Sequence, residues 1–233
     1  MTWKLIFVGF SIMIYERGNS MESRAIKIYA PMNKKIALKV IPGHFATSNS
    51  HINLYIDLTT MKTRQSEAAE AARVMAKQYV NTTVVDTIVC LDGCEVIGAY
   101  FAQELSISGI RSLNAHQTIY IISPEFNTNG QMIFRANIQP LVYGKHILLL
   151  AASATTGDTL KKSVDCIKYY GGIIQGISAI FSAVDKVEGI TVNSIFKTKD
   201  LPDYQSYTIG ECPLCNEKQR LEAIVNGYGY MKL

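Results

Sequence analysis

A chain of 233 residues with 48% hydrophobic and 18% charged residues can build one α/β domain with a substantial core, and no stretch is biased enough to stay disordered. A formal net charge of +4 with no Lys/Arg cluster suits a polyanionic small molecule and argues against a nucleic-acid surface. Five cysteines, an odd number, without a clear secretory signal point to reduced thiols in a cytoplasmic protein rather than to a disulfide framework.

At the N-terminus, Leu5 to Tyr15 is an apolar run of 11 residues behind Lys4. A bilayer span needs about 20 residues, and no small-x-small cleavage site follows, so stable membrane insertion is not expected. Residues 1–20 read as an extension outside the domain, the other readings being an extra edge strand or a weak membrane-surface anchor. Residues 21–233 then form a single domain. Met21 to Ile41 mixes charges with short apolar groups and meets a turn signal at Pro42-Gly43. Asn53 to Leu58 alternates polar and apolar as a half-buried strand does. Thr63 to Tyr79 has helix-forming composition, and Ala68, Ala71, Ala72, Met75 and Tyr79 make its packing stripe.

Val84 to Leu105 reads as strand, loop and helix, with Asp92-Gly93-Cys94-Glu95 as the loop. Gly93 permits a tight backbone, and amides near the helix start can meet an anion; the plainer reading is one more strand–turn–helix unit of an α/β protein. Cys90 and Cys94 read as a core residue and a loop residue. Thr118 to Ile122 is a short strand, and Asn129-Gly130 in the polar connection after it reads as a hairpin turn.

Ile147 to Ala151 has the character of a strand buried on both faces. Small polar residues follow, Ser153-Ala154-Thr155-Thr156-Gly157-Asp158-Thr159, and then a helix with Leu160, Val164 and Ile167 on one face. Such a loop presents free amides, hydroxyls and the positive end of a helix dipole to one point, which fits a phosphate. Ile173 to Phe181 and Ile190 to Phe196 are further strands. The alternation predicts α/β architecture with a mostly parallel central sheet, flanking helices and a ligand at the carboxyl ends of the strands.

In the tail, 200–233, Cys212-Pro213-Leu214-Cys215 has the spacing of half a zinc knuckle. His116 and His146 are remote in sequence, so four ligands would require Cys90 or Cys94, a histidine, or another subunit; the plainer reading is a buried turn. The pair neither follows a strand nor opens a helix, which sets redox chemistry aside.

The run LLLAASATTGDTL, Leu148 to Leu160, resembles the phosphoribosyl-diphosphate (PRPP) motif of type I phosphoribosyltransferases, in which an apolar strand ends in two acidic residues and a Thr-Thr-Gly-x-Thr loop. The spacing matches, while Ala151 and Ala152 stand at the acidic positions. Looser resemblance over Met21 to Leu233 is to orotate phosphoribosyltransferases. It implies a Rossmann-like fold with a small hood, from about 21–60, over the base. By resemblance, Ser153 to Thr159 grip the 5′-phosphate, Asp92 to Glu95 meet the diphosphate, and His44, Ser50, Asn53 and Tyr55 line a base pocket. The plainer reading of those four is turn residues and the solvent face of a strand. A mobile basic loop is also expected after the Thr118–Ile122 strand, where this chain has only Arg135.

The resemblance further implies PRPP and a nucleobase or nucleotide as ligands, magnesium, a homodimer and a place in pyrimidine biosynthesis. It carries fold and phosphate binding further than turnover. Two lost carboxylates each remove a charge-assisted contact worth on the order of 1.5–3 kcal/mol, roughly a hundredfold to ten-thousandfold in rate if both act in the transition state. Asp158, beside the loop, is a partial substitute. Three functions follow: a phosphoribosyltransferase acting on a pyrimidine or related base, a non-catalytic PRPP or nucleotide sensor, and a structural or zinc-bridged interaction protein.

Overall fold

Ile147, Leu149 and Ala151 point into one hydrophobic cluster, and Leu148, Leu150 and Ala152 into another. Such two-sided burial is what a central strand of a parallel sheet requires. The computed structural model describes residues 5–8, 11–14, 21–107, 113–115, 117–128, 130–201 and 203–233. In chain order, β1 (Leu5–Val8) and β2 (Ser11–Ile14) are followed by β3 (Ile26–Ala30), β4 (Asn33–Ala46) and β5 (Ser50–Asp57), then by α1 (Thr59–Thr63) and α2 (Gln65–Ala76). Next come β6 (Thr87–Cys90), α3 (Glu95–Ile107), β7 (Tyr120–Ile122), β8 (Glu125–Phe126) and β9 (Met132–Ile133). The chain continues with β10 (His146–Ala154), α4 (Asp158–Tyr169), β11 (Ile173–Ser182), β12 (Lys186–Val187) and β13 (Ile190–Lys197). Its tail holds β14 (Ser206–Thr208), α5 (Pro213–Asn216), β15 (Ala223–Asn226) and β16 (Gly229–Lys232).

The central sheet has the order β12-β13-β11-β10-β6-β7, parallel throughout except for the edge strand β12. The fold is thus α/β with a mostly parallel central sheet and flanking helices, as expected. Strand order reverses between β6 and β10, and a crevice opens at the carboxyl ends there. α4 covers one face through Leu160, Val164 and Ile167, all buried. α2 and α3 cover the other, with Ala68, Ala71, Ala72, Met75 and Tyr79 buried as the helical stripe requires. The buried Tyr79 hydroxyl is satisfied by Ile177 O, Ser178 and Asn193.

A second sheet, β14-β5-β4-β15-β16 with β3 also on β4, joins the hood to the tail. β15 pairs in parallel with β4, Phe45 opposite Ala223. Pro42-Gly43, expected to turn, lies inside β4, where the register with β5 shifts between Pro42 and Phe45. A proline lacks the ladder N–H, and a bulge is one of the few strand positions that tolerates it. The chain turns instead at Thr47 to Asn49, whose hairpin is held by Thr47 Oγ1 accepting the Asn49 and Ser50 amides. β1 and β2 pair in a two-stranded sheet of their own; the rest of the 1–20 extension lies outside the described residues. β8 and β9 form the expected hairpin across Gly130, Asn129 being outside the described residues, and Arg135 is bound to Glu125 at 2.6 Å. The Cys212–Cys215 segment, expected not to open a helix, opens the one-turn α5 with Cys212 at its N-cap.

Candidate functional site

The cleft sits at the carboxyl end of β10. Ser153, Ala154, Thr155, Thr156, Gly157, Thr159 and Leu160 form its floor, and Thr47, Ser48, Asn49, Tyr55 and Tyr204 face them from the hood and tail. Gly157 has φ +85° and is the residue before α4. A side chain there would be strained in that left-handed conformation, and its Cβ would meet Val187 Cγ2 at 3.2 Å. Lys161 N–H donates to Gly157 O at 2.9 Å, so the amides of Asp158, Thr159 and Leu160 lie ahead of the helical ladder at its positive end. Asp158 differs from the rest of the predicted loop. It is exposed, accepts from Thr156 Oγ1 at 2.9 Å, and is not among the cleft residues.

The second loop contributes less than its sequence suggests. Asp92 lines the cleft, and its backbone at φ +56°, followed by Gly93 at +76°, turns the chain sharply into α3. Burial pushes the Asp92 carboxyl up, although the Ala152 amide and Lys62 draw it the other way. Cys94, predicted as a loop contact, is fully buried in the core, where burial raises its thiol well above the usual range. Glu95 accepts from Ser123 Oγ at 2.5 Å and lies outside the cleft.

Of the hood residues, Tyr55 lines the cleft, buried and edge-to-face with Tyr230 at 5.4 Å. Burial raises its phenol. Asn53 does not reach the cleft: it donates to Asp203 O at 2.6 Å and accepts from the Gln205 amide at 2.8 Å, tying tail to hood. Ser50 bonds with Thr47. His44 is buried and faces His51, ring centroids 5.1 Å apart. His44 and Asn53 are not among the cleft residues, and their side chains make contacts between hood and tail.

Sequence reasoning missed three contributors. Tyr204, in the tail, lines the cleft, and among the described residues its buried hydroxyl has no hydrogen-bond partner. Lys62 is buried; it donates to Asp92 O at 2.7 Å and to Gly227 O and lies over the Tyr228 ring at 5.7 Å. Gly227 abuts the Asp92 side chain so closely that no Cβ fits. An isolated lysine in a polar stretch and a Gly-Tyr-Gly-Tyr tail give no local signal of this contact.

No family model matches the chain. The orotate phosphoribosyltransferase of Chlorobium phaeobacteroides is 24% identical over 186 residues, 79% of this chain and 88% of that protein. That of Desulforamulus reducens is 25% identical over 183 residues, 76% and 85% of the two chains. Leishmania donovani UMP synthase superposes with a TM-score of 0.51 at 15% identity, over 69% of this chain and 34% of that one, a likeness of fold. The chain is similar in sequence to orotate phosphoribosyltransferases and shares its fold with a UMP synthase.

Ala151 and Ala152, which stand where the motif this run resembles has acidic residues, are buried in opposite faces of the sheet and bring no polar side-chain group to the cleft. Asp92 is the one carboxylate among the cleft residues, and no Lys or Arg is among them. Magnesium takes oxygen ligands, keeps several waters and is usually held by one or two carboxylates plus substrate phosphates. The Asp92 carboxyl together with the loop hydroxyls is an oxygen donor set of the kind that fits magnesium. Among the described residues, no helix is long and apolar enough to cross a membrane.

Proposed function

We propose that the cleft binds PRPP with its 5′-phosphate in the Ser153 to Thr159 loop, and that the protein transfers the phosphoribosyl group to a pyrimidine or related base. The observation that carries this reading is the loop itself. It lies at the strand-order reversal, holds Gly157 in the left-handed region, and opens the positive end of α4 to the cleft. In the transfer, a base nitrogen displaces diphosphate from the ribose, and the protein's task is positioning and charge stabilisation. Thr155 and Thr159 supply hydroxyls for the phosphate, Thr156 joins them when its hydroxyl turns from Asp158, and the Tyr204 hydroxyl, without a partner among the described residues, is available to the ligand. Asp92 would hold magnesium, which neutralises charge on the departing diphosphate. A homodimer belongs to the same proposal by resemblance to the family.

A second reading, a PRPP or nucleotide sensor without turnover, is favoured by the buried Ala151 and Ala152 and by the tail closing on the second loop through Lys62, Asp92 and Gly227. Diphosphate release on adding PRPP, magnesium and a panel of pyrimidine and purine bases separates the two. Release above the uncatalysed rate with one base supports transfer. Tight PRPP binding with no release for any base assigns the sensor.

A further inference from the structure

Four metal-ligating side chains from distant parts of the chain meet at one end of the hood sheet. His44 is on β4 and His51 on β5, across the hairpin; Ala46 opposes His51 in the register, so His44, two residues back, shares its face. Cys212 and Cys215 come from the cap and body of α5. The candidate ligand atoms all lie within 4.8 Å of one another. His44 Nε2 is 3.2 Å from His51 Nδ1, 3.5 Å from Cys212 Sγ and 3.6 Å from Cys215 Sγ, and His51 Nδ1 is 3.3 Å from Cys215 Sγ.

We propose that His44, His51, Cys212 and Cys215 bind one zinc ion in a tetrahedral Cys2His2 site that fastens the C-terminal tail to the hood. Zinc bonds of about 2.0–2.1 Å to nitrogen and about 2.3 Å to sulfur set tetrahedral edges of about 3.3 Å between nitrogens and about 3.6 Å between nitrogen and sulfur. The four measured separations match those edges. Two sulfurs and two imidazole nitrogens in a tetrahedron select zinc over magnesium or calcium, which take oxygen. The outer contact is also present: His44 Nδ1 is 2.9 Å from Gln219 O. A carbonyl only accepts, so Nδ1 carries the proton and Nε2 turns its lone pair to the cluster, the arrangement of a zinc-bound histidine.

The placement gives the ion a task. β14 pairs with β5, Tyr207 opposite His51, and β15 pairs with β4, Phe45 opposite Ala223. Residues 209–222, which connect β14 to β15, carry Cys212 and Cys215 to His44 and His51. The histidines also bracket the hairpin tip Thr47 to Asn49, which lines the cleft; the ion thereby fixes one cleft wall. The metal claim itself does not depend on what the cleft binds.

The test is metal analysis of the full chain purified under reducing conditions without chelator. One zinc per chain is expected, and cobalt(II) reconstitution should give the intense visible d–d bands of a tetrahedral ion with thiolate-to-metal charge transfer. Cys212 is fully buried, so its loss tests folding as well as binding; Cys215→Ser, at the exposed member, keeps the fold and should weaken zinc binding at least about tenfold and diminish the charge-transfer band. His51→Ala should do the same. Zinc far below one per chain that does not rise on addition of the metal, octahedral cobalt spectra, unchanged affinity in Cys215→Ser, or a Cys212–Cys215 disulfide by mass would each overturn the assignment.

Discussion

β10 and β11 are parallel neighbours joined by the single helix α4, whereas β4 and β15 pair Phe45 with Ala223 across most of the chain. In the central sheet each strand brings its own burial pattern and each loop falls where that pattern ends. In the hood–tail sheet the pairing is fixed by contacts far apart in sequence: Asn53 to Asp203 and Gln205, Lys62 to Gly227, His44 to Gln219 and the two cysteines. The cleft lies between the two. Its floor is local structure and its walls are long-range structure, so the floor should survive changes that loosen the walls.

The largest such change is metal removal. A chelator should lower the melting temperature by on the order of 5–10 °C, the shift that about 2.5 kcal/mol gives in a chain of this size, and hydrogen exchange should rise in β14 and β15 before it rises in β10. Equal loss of protection in both sheets would erase the distinction. Next is Lys62→Met, which leaves the carbonyls of Asp92 and Gly227 without their donor and should cost about 1–3 kcal/mol by denaturant unfolding; an unchanged midpoint would mean that the tail does not depend on this contact.

Tyr204→Phe separates wall from ligand. Its hydroxyl is already buried without a partner among the described residues, so the free protein should lose nothing or gain up to about 1 kcal/mol, while affinity for a bound nucleotide or PRPP falls about fivefold to tenfold. Loss of stability without loss of affinity would place the hydroxyl outside the binding contact. The smallest effect concerns Asp92. Burial raises its carboxyl pKa above the unfolded value, so its contribution to stability is full below the unfolded pKa and is lost as pH rises through the folded one. Asp92→Asn should remove that part of the pH dependence, read as a flatter stability profile on the acid side of neutrality. A profile identical to the parent would mean that Asp92 does not titrate differently on folding.

The legible part of the molecule is the part with local period. Ile147 to Ala151, the Leu160, Val164, Ile167 stripe and the position of the Ser153 to Thr159 loop at the start of α4 could all be placed from spacing, because a buried parallel strand, an amphipathic helix and a glycine-containing helix start each have a short-range signature. Pro42-Gly43 misled because a bulge and a turn use the same residues. His44 misled more instructively: a histidine in a hood strand reads as a base contact, and only β4–β5 register and the passage of the tail over it reveal His51, Cys212 and Cys215 as its neighbours. Tyr204 and Lys62 escaped for the same reason, since nothing within ten residues of either marks what it faces.

The central claim is that the Ser153 to Thr159 loop holds a ribose phosphate, and calorimetric titration of PRPP with magnesium tests it most directly, run beside Gly157→Trp. At Gly157 a side chain meets Val187 and Val184 in a left-handed backbone, so the substitution should close the loop. Micromolar binding by the parent, lost at least about a hundredfold in a variant that keeps its hood sheet and zinc, is the predicted result. No heat and no thermal shift with the parent, or equal binding by both proteins, would contradict it.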